Sequence, residues 1–241
     1  MAAELPLIVL ATTEDSTNGV RVVDGKLDAV ELARKVGELC GARVEFEFMP
    51  WARALKSVEA GKVSAAFAAS YKPERAVYGA YPMHDGQPDP SRAQRSYAYH
   101  LYARPEVAAA LKARGGDLSG EHVAVERESS VIPLLESLGM IPVPLSSYEN
   151  MLNMIAMNRV RLGVGIADNF DVILERTPKL SADVTRIDPP LQKQVGYVMF
   201  GKAFHERHHA LVECFWTESA TLARSAWYRT LKLQYGDGTA R

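Results

Sequence analysis

The stretch from Trp51 to Arg75, WARALKSVEAGKVSAAFAASYKPER, decides how this chain folds. Trp51 to Ala60 reads as a helix: Pro50 stands where a first helical turn accepts proline, and Gly61 closes the segment. Val63 to Ala69 reads as a buried strand, and Ser70 to Arg75 as the turn that follows it. Working towards the N-terminus, Val44 to Met49 alternates as a strand. Before it, Val30, Leu32, Ala33, Val36 and Leu39 fall at helical spacing between Asp28 and Cys40, with Gly41 placed to end the helix. Leu7 to Ala11 is a short buried strand. A polar turn from Thr12 to Gly19, the segment Val20 to Val23 and the turn Asp24-Gly25-Lys26 separate it from that helix. The order strand, helix, strand, helix, strand is the rhythm of an α/β sheet.

Towards the C-terminus, His84 to Ser91 is a loop by its turn chemistry, Tyr97 to Ala103 is extended, and Glu106 to Arg114 is a helix after Pro105. A second α/β set starts at His122. It comprises strand Val123 to Val125, helix Val131 to Leu138, strand Ile141 to Leu145, helix Tyr148 to Asn158, strand Leu162 to Ala167 and the short helix Asp168 to Arg176. Ser146 and Glu149 have capping-box spacing before the Tyr148 helix. Val195 to Gly201 reads as a strand, Phe204 to Leu222 as one long amphipathic helix, and Ala226 to Leu233 as a final helix. Extended crossings near Tyr97 to Tyr102 and Gln192 to Tyr197 join the two sets. The expected fold class is therefore α/β, with two Rossmann-like lobes joined by two hinge strands. Residues 5–96 and 196–241 would form a discontinuous first lobe and 97–195 the second. A cleft between lobes is a preferred place for a small-molecule site.

The chain has 241 residues, 28 Lys+Arg against 29 Asp+Glu, and a formal net charge of −1; 47% of it is apolar and 24% charged. That composition excludes a disordered chain, a collagen-like repeat and a disulfide scaffold. The charge balance argues against a nucleic-acid partner, whose binders carry a basic field. No run approaches the ~18 consecutive apolar residues of a membrane span. The N-terminus lacks the sections of a secretory leader, while Met1-Ala2-Ala3-Glu4 fits the stump of a processed export product, so a cytoplasmic protein and a periplasmic one processed on export both stay open. Cys40 and Cys214 are either buried thiols or one long-range bridge, and spacing leaves both open.

Several segments occur in a telling order. Leu27-Asp28 precedes a helix carrying Glu31-Leu32-Ala33; the Trp51 helix closes at Ala60-Gly61-Lys62-Val63; and a strand leads to Ala69-Ser70-Tyr71-Lys72-Pro73-Glu74-Arg75. Val125-Glu-Arg-Glu-Ser129-Ser130 and Ser147-Tyr148-Glu149-Asn150-Met151-Leu152 follow. Together they resemble the type II periplasmic solute-binding proteins, in particular the polar amino-acid-binding branch, bacterial extracellular solute-binding protein family 3. The resemblance implies a monomer that closes its lobes on a small polar, carboxylate-bearing ligand, an amino acid or related organic acid. It implies ABC-type uptake through an inner-membrane permease, or sensing, with no cofactor, metal, nucleic acid or membrane insertion. Carried over by position, Trp51 packs on the ligand, Ser70 meets its carboxylate and Arg75 pairs with it, as a planar guanidinium does well. Ser129 and Ser130 offer hydroxyls and N–H groups from the second lobe. Three positions depart from the pattern. Glu14, followed by Asp15, stands where relatives carry a ligand-clamping aromatic, and adds negative charge to the cleft. Asp168 lies two residues beyond Ile166, the register position of the acid that pairs an α-ammonium. Glu128 stands where glycine is usual. The expected ligand-binding set is Glu14, Trp51, Ser70, Arg75, Ser129, Ser130 and Asp168.

Other patterns compete with this reading. His205-Glu206-Arg207-His208-His209 satisfies H-E-x-x-H, which on a helix can present two imidazoles to zinc. Its helix, however, is expected to pack Leu211, Val212, Phe215, Trp216 and Leu222 on the first lobe, away from the cleft, and no third ligand follows at a zincin-like spacing. No catalytic metal is expected. Gly163-Val164-Gly165 lacks the third glycine of a dinucleotide fingerprint and lies within a strand. The rival function is an enzyme on the same scaffold, a cyclohexadienyl or arogenate-type dehydratase, with Glu14, Asp15 or Glu128 as general acid or base. Tyr71, Tyr78, Tyr81, Tyr97, Tyr99 and Tyr102 read as hinge and edge packing, one or two of them lining the cleft.

Overall fold

The computed structural model describes residues 5–12, 22–23, 26–113 and 115–234. Strand β1 (Leu7–Thr12) sets the architecture, because it buries both of its faces: Ile8 and Leu10 enter one hydrophobic cluster, Ala11 another. A strand covered on both sides belongs to a parallel sheet flanked by helices. After the paired dipeptides β2 (Val22–Val23) and β3 (Lys26–Leu27) come α1 (Asp28–Leu39), β4 (Arg43–Phe48), α2 (Trp51–Glu59) and β5 (Ala65–Ala69). The helix α1 ends as its sequence asks. Gly41 adopts φ 69°, Gly41 N–H donates to Glu38 O and Ala42 N–H to Gly37 O, a Schellman closure.

Short strands β6 (Gly79–Ala80), β7 (Met83–His84) and β8 (Gln87–Pro88) lead to the first crossing strand, β9 (Arg95–Ala103). The second set then runs α3 (Pro105–Ala113), β10 (His122–Glu126), α4 (Ile132–Ser137), β11 (Ile141–Leu145), α5 (Tyr148–Ala156), β12 (Leu162–Ile166), α6 (Ala167–Arg176) and α7 (Pro178–Asp183). The long strand β13 (Thr185–Gly201) returns to the first set, and α8 (Lys202–Arg207), α9 (His209–Ala223) and α10 (Ala226–Gln234) finish the described chain. The main sheet has the order β11-β10-β12-β9-β13-β5-β1-β4. Its outer thirds are parallel, β10 with β11 and β12, and β1 with β4 and β5, while β9 and β13 pair antiparallel with each other and with their neighbours. The α/β class with two crossing strands is thus observed. Helices cover both faces of each half, and each half has two hydrophobic clusters.

The structure corrects the sequence reading at three elements and decides one alternative that the sequence left open. The second crossing is far longer than Gln192 to Tyr197: β13 pairs with β9 from Thr185 onward, and Pro189 and Pro190 are accommodated in a register shift between Ile187 and Gln192. Proline in a strand survives at such an irregularity, where no ladder N–H is required. The cap of α5 is Ser147, whose Oγ accepts from Asn150 N–H, and not Ser146. The expected helix from Phe204 to Leu222 is interrupted at His208, at φ −129°, ψ 38°. Both pieces pack on the same cluster across the break: Phe204 stacks on Phe200, and Phe215 and Trp216 of α9 meet the Phe200 ring edge-on. Cys40 and Cys214 form a disulfide that ties the end of α1 to α9, which resolves the alternative left open by spacing.

Candidate functional site

The polar residues gather where β5 and α2 from one half meet β9, β10 and the turn before α4 from the other. β5 reaches this point through a bulge: Ala68 takes φ 61°, and the register with β13 shifts between Tyr197 and Met199. Bulges re-aim the end of a strand. Gly196 permits it, since a Cβ there would lie 2.8 Å from Ala68 O. The result delivers Ser70, buried at 3% exposure, into the junction. Its carbonyl accepts from Arg75 Nη1 (3.1 Å) and Tyr81 Oη (3.0 Å). Its hydroxyl donates to Ser130 Oγ across the junction (2.8 Å) and bonds Tyr97 Oη.

Arg75 is the centre of the arrangement. Only 4% exposed, it stacks over the Trp51 ring at 5.6 Å, and its Nη2 donates to Glu128 O at 2.6 Å. No carboxylate lies within ion-pairing distance of it among the described residues. A buried guanidinium satisfied only by neutral oxygens is electrostatically incomplete, because desolvating a charge costs several kcal/mol unless an opposite charge offsets it. Opposite it, Glu128 adopts φ 62°, the left-handed conformation that explains why glycine is usual at this place. That conformation aims the Glu128 carbonyl at Arg75 and leaves its side chain exposed. Ser129 Oγ donates to Tyr99 Oη, and Tyr99 and Ser130 bond at 3.1 Å. Burial raises the Tyr99 and Tyr81 phenols far above their ordinary range, so both are neutral hydrogen-bonding groups.

Together Trp51, Ser70, Arg75, Tyr97, Ser129 and Ser130 line one cavity of about 30 Å³. The sequence expectation therefore converges for five of its residues. One of the remaining two does not join them. Asp168 is held in the first turn of α6, 59% exposed, and reaches Arg95 Nη2 only at 3.5 Å; Ile166 lines the cavity in its stead. Glu14, with Asp15, lies outside the described residues. Ser129 and Ser130 precede α4, which begins only at Ile132 and has six residues, so they act through hydroxyls and not as its cap. Glu128 is no acid–base group of this cavity, since only its backbone faces inward.

Sequence reasoning missed Arg95, Glu126 and Tyr148, which also line it. Arg95 begins the first crossing and lies over Tyr97 at 5.3 Å. Glu126 ends β10 and accepts from Tyr148, whose phenol burial and the Glu126 charge push upward. Position gives the signal: both stand at strand ends beside the crossing, where α/β sheets expose ligand-facing side chains.

No family model matches the sequence, and no curated protein matches it. Solved structures do. An amino-acid ABC transporter substrate-binding protein from Streptococcus pneumoniae bound to L-arginine superimposes with TM-score 0.73 at 19% identity, covering 95% of this chain and 94% of that one. The chain has the type II periplasmic-binding-protein fold. A histidine kinase sensor domain with similarity to periplasmic binding proteins shares this fold, with TM-score 0.74 and 20% identity over 96% of each chain. So does an ancestral amino-acid-binding protein, a precursor of cyclohexadienyl dehydratase, with TM-score 0.71 and 13% identity over 95% of each chain. Within the periplasmic-binding-protein fold, the cavity around Arg75 sits at the crossing strands, between the two halves.

Proposed function

We propose that this protein is a two-lobed solute-binding protein that takes a small carboxylate-bearing ligand, an amino acid or related organic acid, between its halves. The observation that carries the proposal is Arg75: a buried cation between two halves, stacked on Trp51 and without a counter-ion among the described residues. In this reading Arg75 pairs with the ligand carboxylate, Ser70, Ser129 and Ser130 supply hydroxyls, and Trp51 covers its apolar surface. Residues 5–96 with 196–241 and residues 97–195 are the closing bodies. The Ser70–Ser130 and Arg75–Glu128 contacts bridge the two halves beside the cavity, and in this reading they part to admit the ligand. Closure is then a population shift driven by contacts the ligand makes with both halves. A disulfide persists in oxidising compartments, which supports a periplasmic location, and no described helix is long and apolar enough to cross a membrane. Delivery to an ABC-type permease or a sensory role follows from relatives of both kinds.

A thermal-shift screen of amino acids, organic acids and polyamines tests the proposal: a binder raises the melting temperature as its concentration rises. Silence across a broad panel would sink it. Glu126, bonded to Tyr148 at the cavity wall, favours one second reading, a dehydratase in which that carboxylate moves a proton. Product formed from prephenate or arogenate, abolished in Glu126→Gln, selects the enzyme; saturable binding without turnover selects the binding protein.

A further inference from the structure

The H-E-x-x-H segment is not absorbed by the cleft, and the fold gives it a third partner. His205, His209 and Glu213 lie one helical turn apart in succession, and one potential ligand atom from each falls within 4.8 Å of the other two. The break at His208 does not disrupt this stripe: the His205 and His209 rings are 4.9 Å apart, although His205 belongs to α8 and His209 opens α9. Glu206, the acid of the sequence motif, is not part of the triplet.

We propose that His205, His209 and Glu213 bind one divalent transition-metal ion, zinc or cobalt, as a structural clamp across the α8–α9 junction. The donor set is two imidazoles and a carboxylate, which suits zinc, cobalt, nickel or copper and not the oxygen-seeking magnesium or calcium. His205 Nε2 is buried and has no hydrogen-bond partner, an uncommon state for a buried ring nitrogen and one that a metal would relieve. Glu213 is pre-oriented: its Oε2 accepts from Arg92 Nη1 at 2.6 Å, which leaves Oε1 for the ion. Arg92 is itself offset by Asp89, bonded to its Nε at 2.9 Å, so the nearby charges of Arg92, Asp89, Glu206 and Glu213 sum to a negative value. Second-shell support of this kind is what fixes metal ligands in place. The exposed side at His209 leaves the remaining coordination positions to water. The proposal is independent of the cleft, because none of these residues is among those that line the cavity.

The test is calorimetric titration of the full chain, stripped with chelator and carrying no polyhistidine tag, with zinc chloride, alongside cobalt titration read by visible absorption. One zinc per chain, ligand-field bands of tetrahedral or five-coordinate cobalt, and a melting temperature raised by zinc are expected. His209→Ala and Glu213→Gln should each weaken zinc by ~10-fold or more, while His122→Ala, at an exposed histidine on β10 in the other half, should leave it unchanged. His209 is exposed, so its variant reports on binding and not on folding, which circular dichroism verifies. Zinc binding that is absent, or that survives unchanged in His205→Ala/His209→Ala, overturns the proposal.

Discussion

At the scale of single residues, Arg75 and Glu128 define the site from opposite sides. Truncating Arg75 removes a buried cation that touches both halves, hydrogen-bonded to Ser70 O and Glu128 O. Arg75→Ala should cost about 2–5 kcal/mol of binding free energy, roughly 30-fold or more in Kd, measured by calorimetry. The same variant melts near the wild type without ligand, since the lost group was a buried charge without a counter-ion. Arg75→Lys keeps charge but not the planar fork, and should recover only part of the loss. Glu128 holds φ 62°, which disfavours any side chain with a branched Cβ. Glu128→Gly should leave stability unchanged or raise it by up to ~1 kcal/mol, and Glu128→Val should lower it by ~1–2 kcal/mol, in denaturant melts. Most of the site was legible at this scale: Trp51, Ser70, Arg75, Ser129 and Ser130 stand in motifs whose spacing fixes them near a strand end. Arg95 and Tyr148 were not, because pairing between segments distant in sequence brings them to the cavity; Glu126 stands in the Val125-to-Ser130 motif itself, and its place in the wall shows only with the Tyr148 phenol beside it. Asp168 misled for the reverse reason. β12 ends at Ile166, which lines the cavity, and two residues on, inside α6, the Asp168 carboxylate is exposed and turned to Arg95.

At the scale of elements, the bulge in β5 and its partner β13 decide where Ser70 points. Gly196 allows the approach of the two backbones, and a methyl there would meet Ala68 O at 2.8 Å. Gly196→Ala should therefore destabilise by ~1–3 kcal/mol and weaken ligand binding as well, because the strand end that carries Ser70 must move. If stability falls and affinity holds, the bulge is a packing feature only. The strands and helices around this bulge followed from alternation and helical spacing in the sequence. What did not follow was the length of β13 and the break at His208. Prolines at 189 and 190 argue against a strand until an irregular ladder is seen to host them, and no propensity marks His208 as a stop, since Phe204 and Trp216 on either side of it pack on the same Phe200 ring.

At the scale of the whole molecule, two features act together: a disulfide within the first half and a junction that closes over a small cavity. The Cys40–Cys214 bridge spans 174 residues, and its removal by Cys40→Ser/Cys214→Ser should lower stability by ~2–4 kcal/mol while leaving ligand affinity close to wild type, since both cysteines lie away from the cavity. The closed junction implies a more open partner state, so small-angle scattering should give a larger radius of gyration without ligand than with it. The central claim is that the buried guanidinium selects a carboxylate. It is tested most directly by a thermal-shift panel in which each amino acid or organic acid is paired with its neutral carboxamide. The expected result is at least one acid that raises the melting temperature with concentration, an amide that does not, and loss of the response in Arg75→Ala. Equal responses to acid and amide, or an undiminished response in Arg75→Ala, would contradict it.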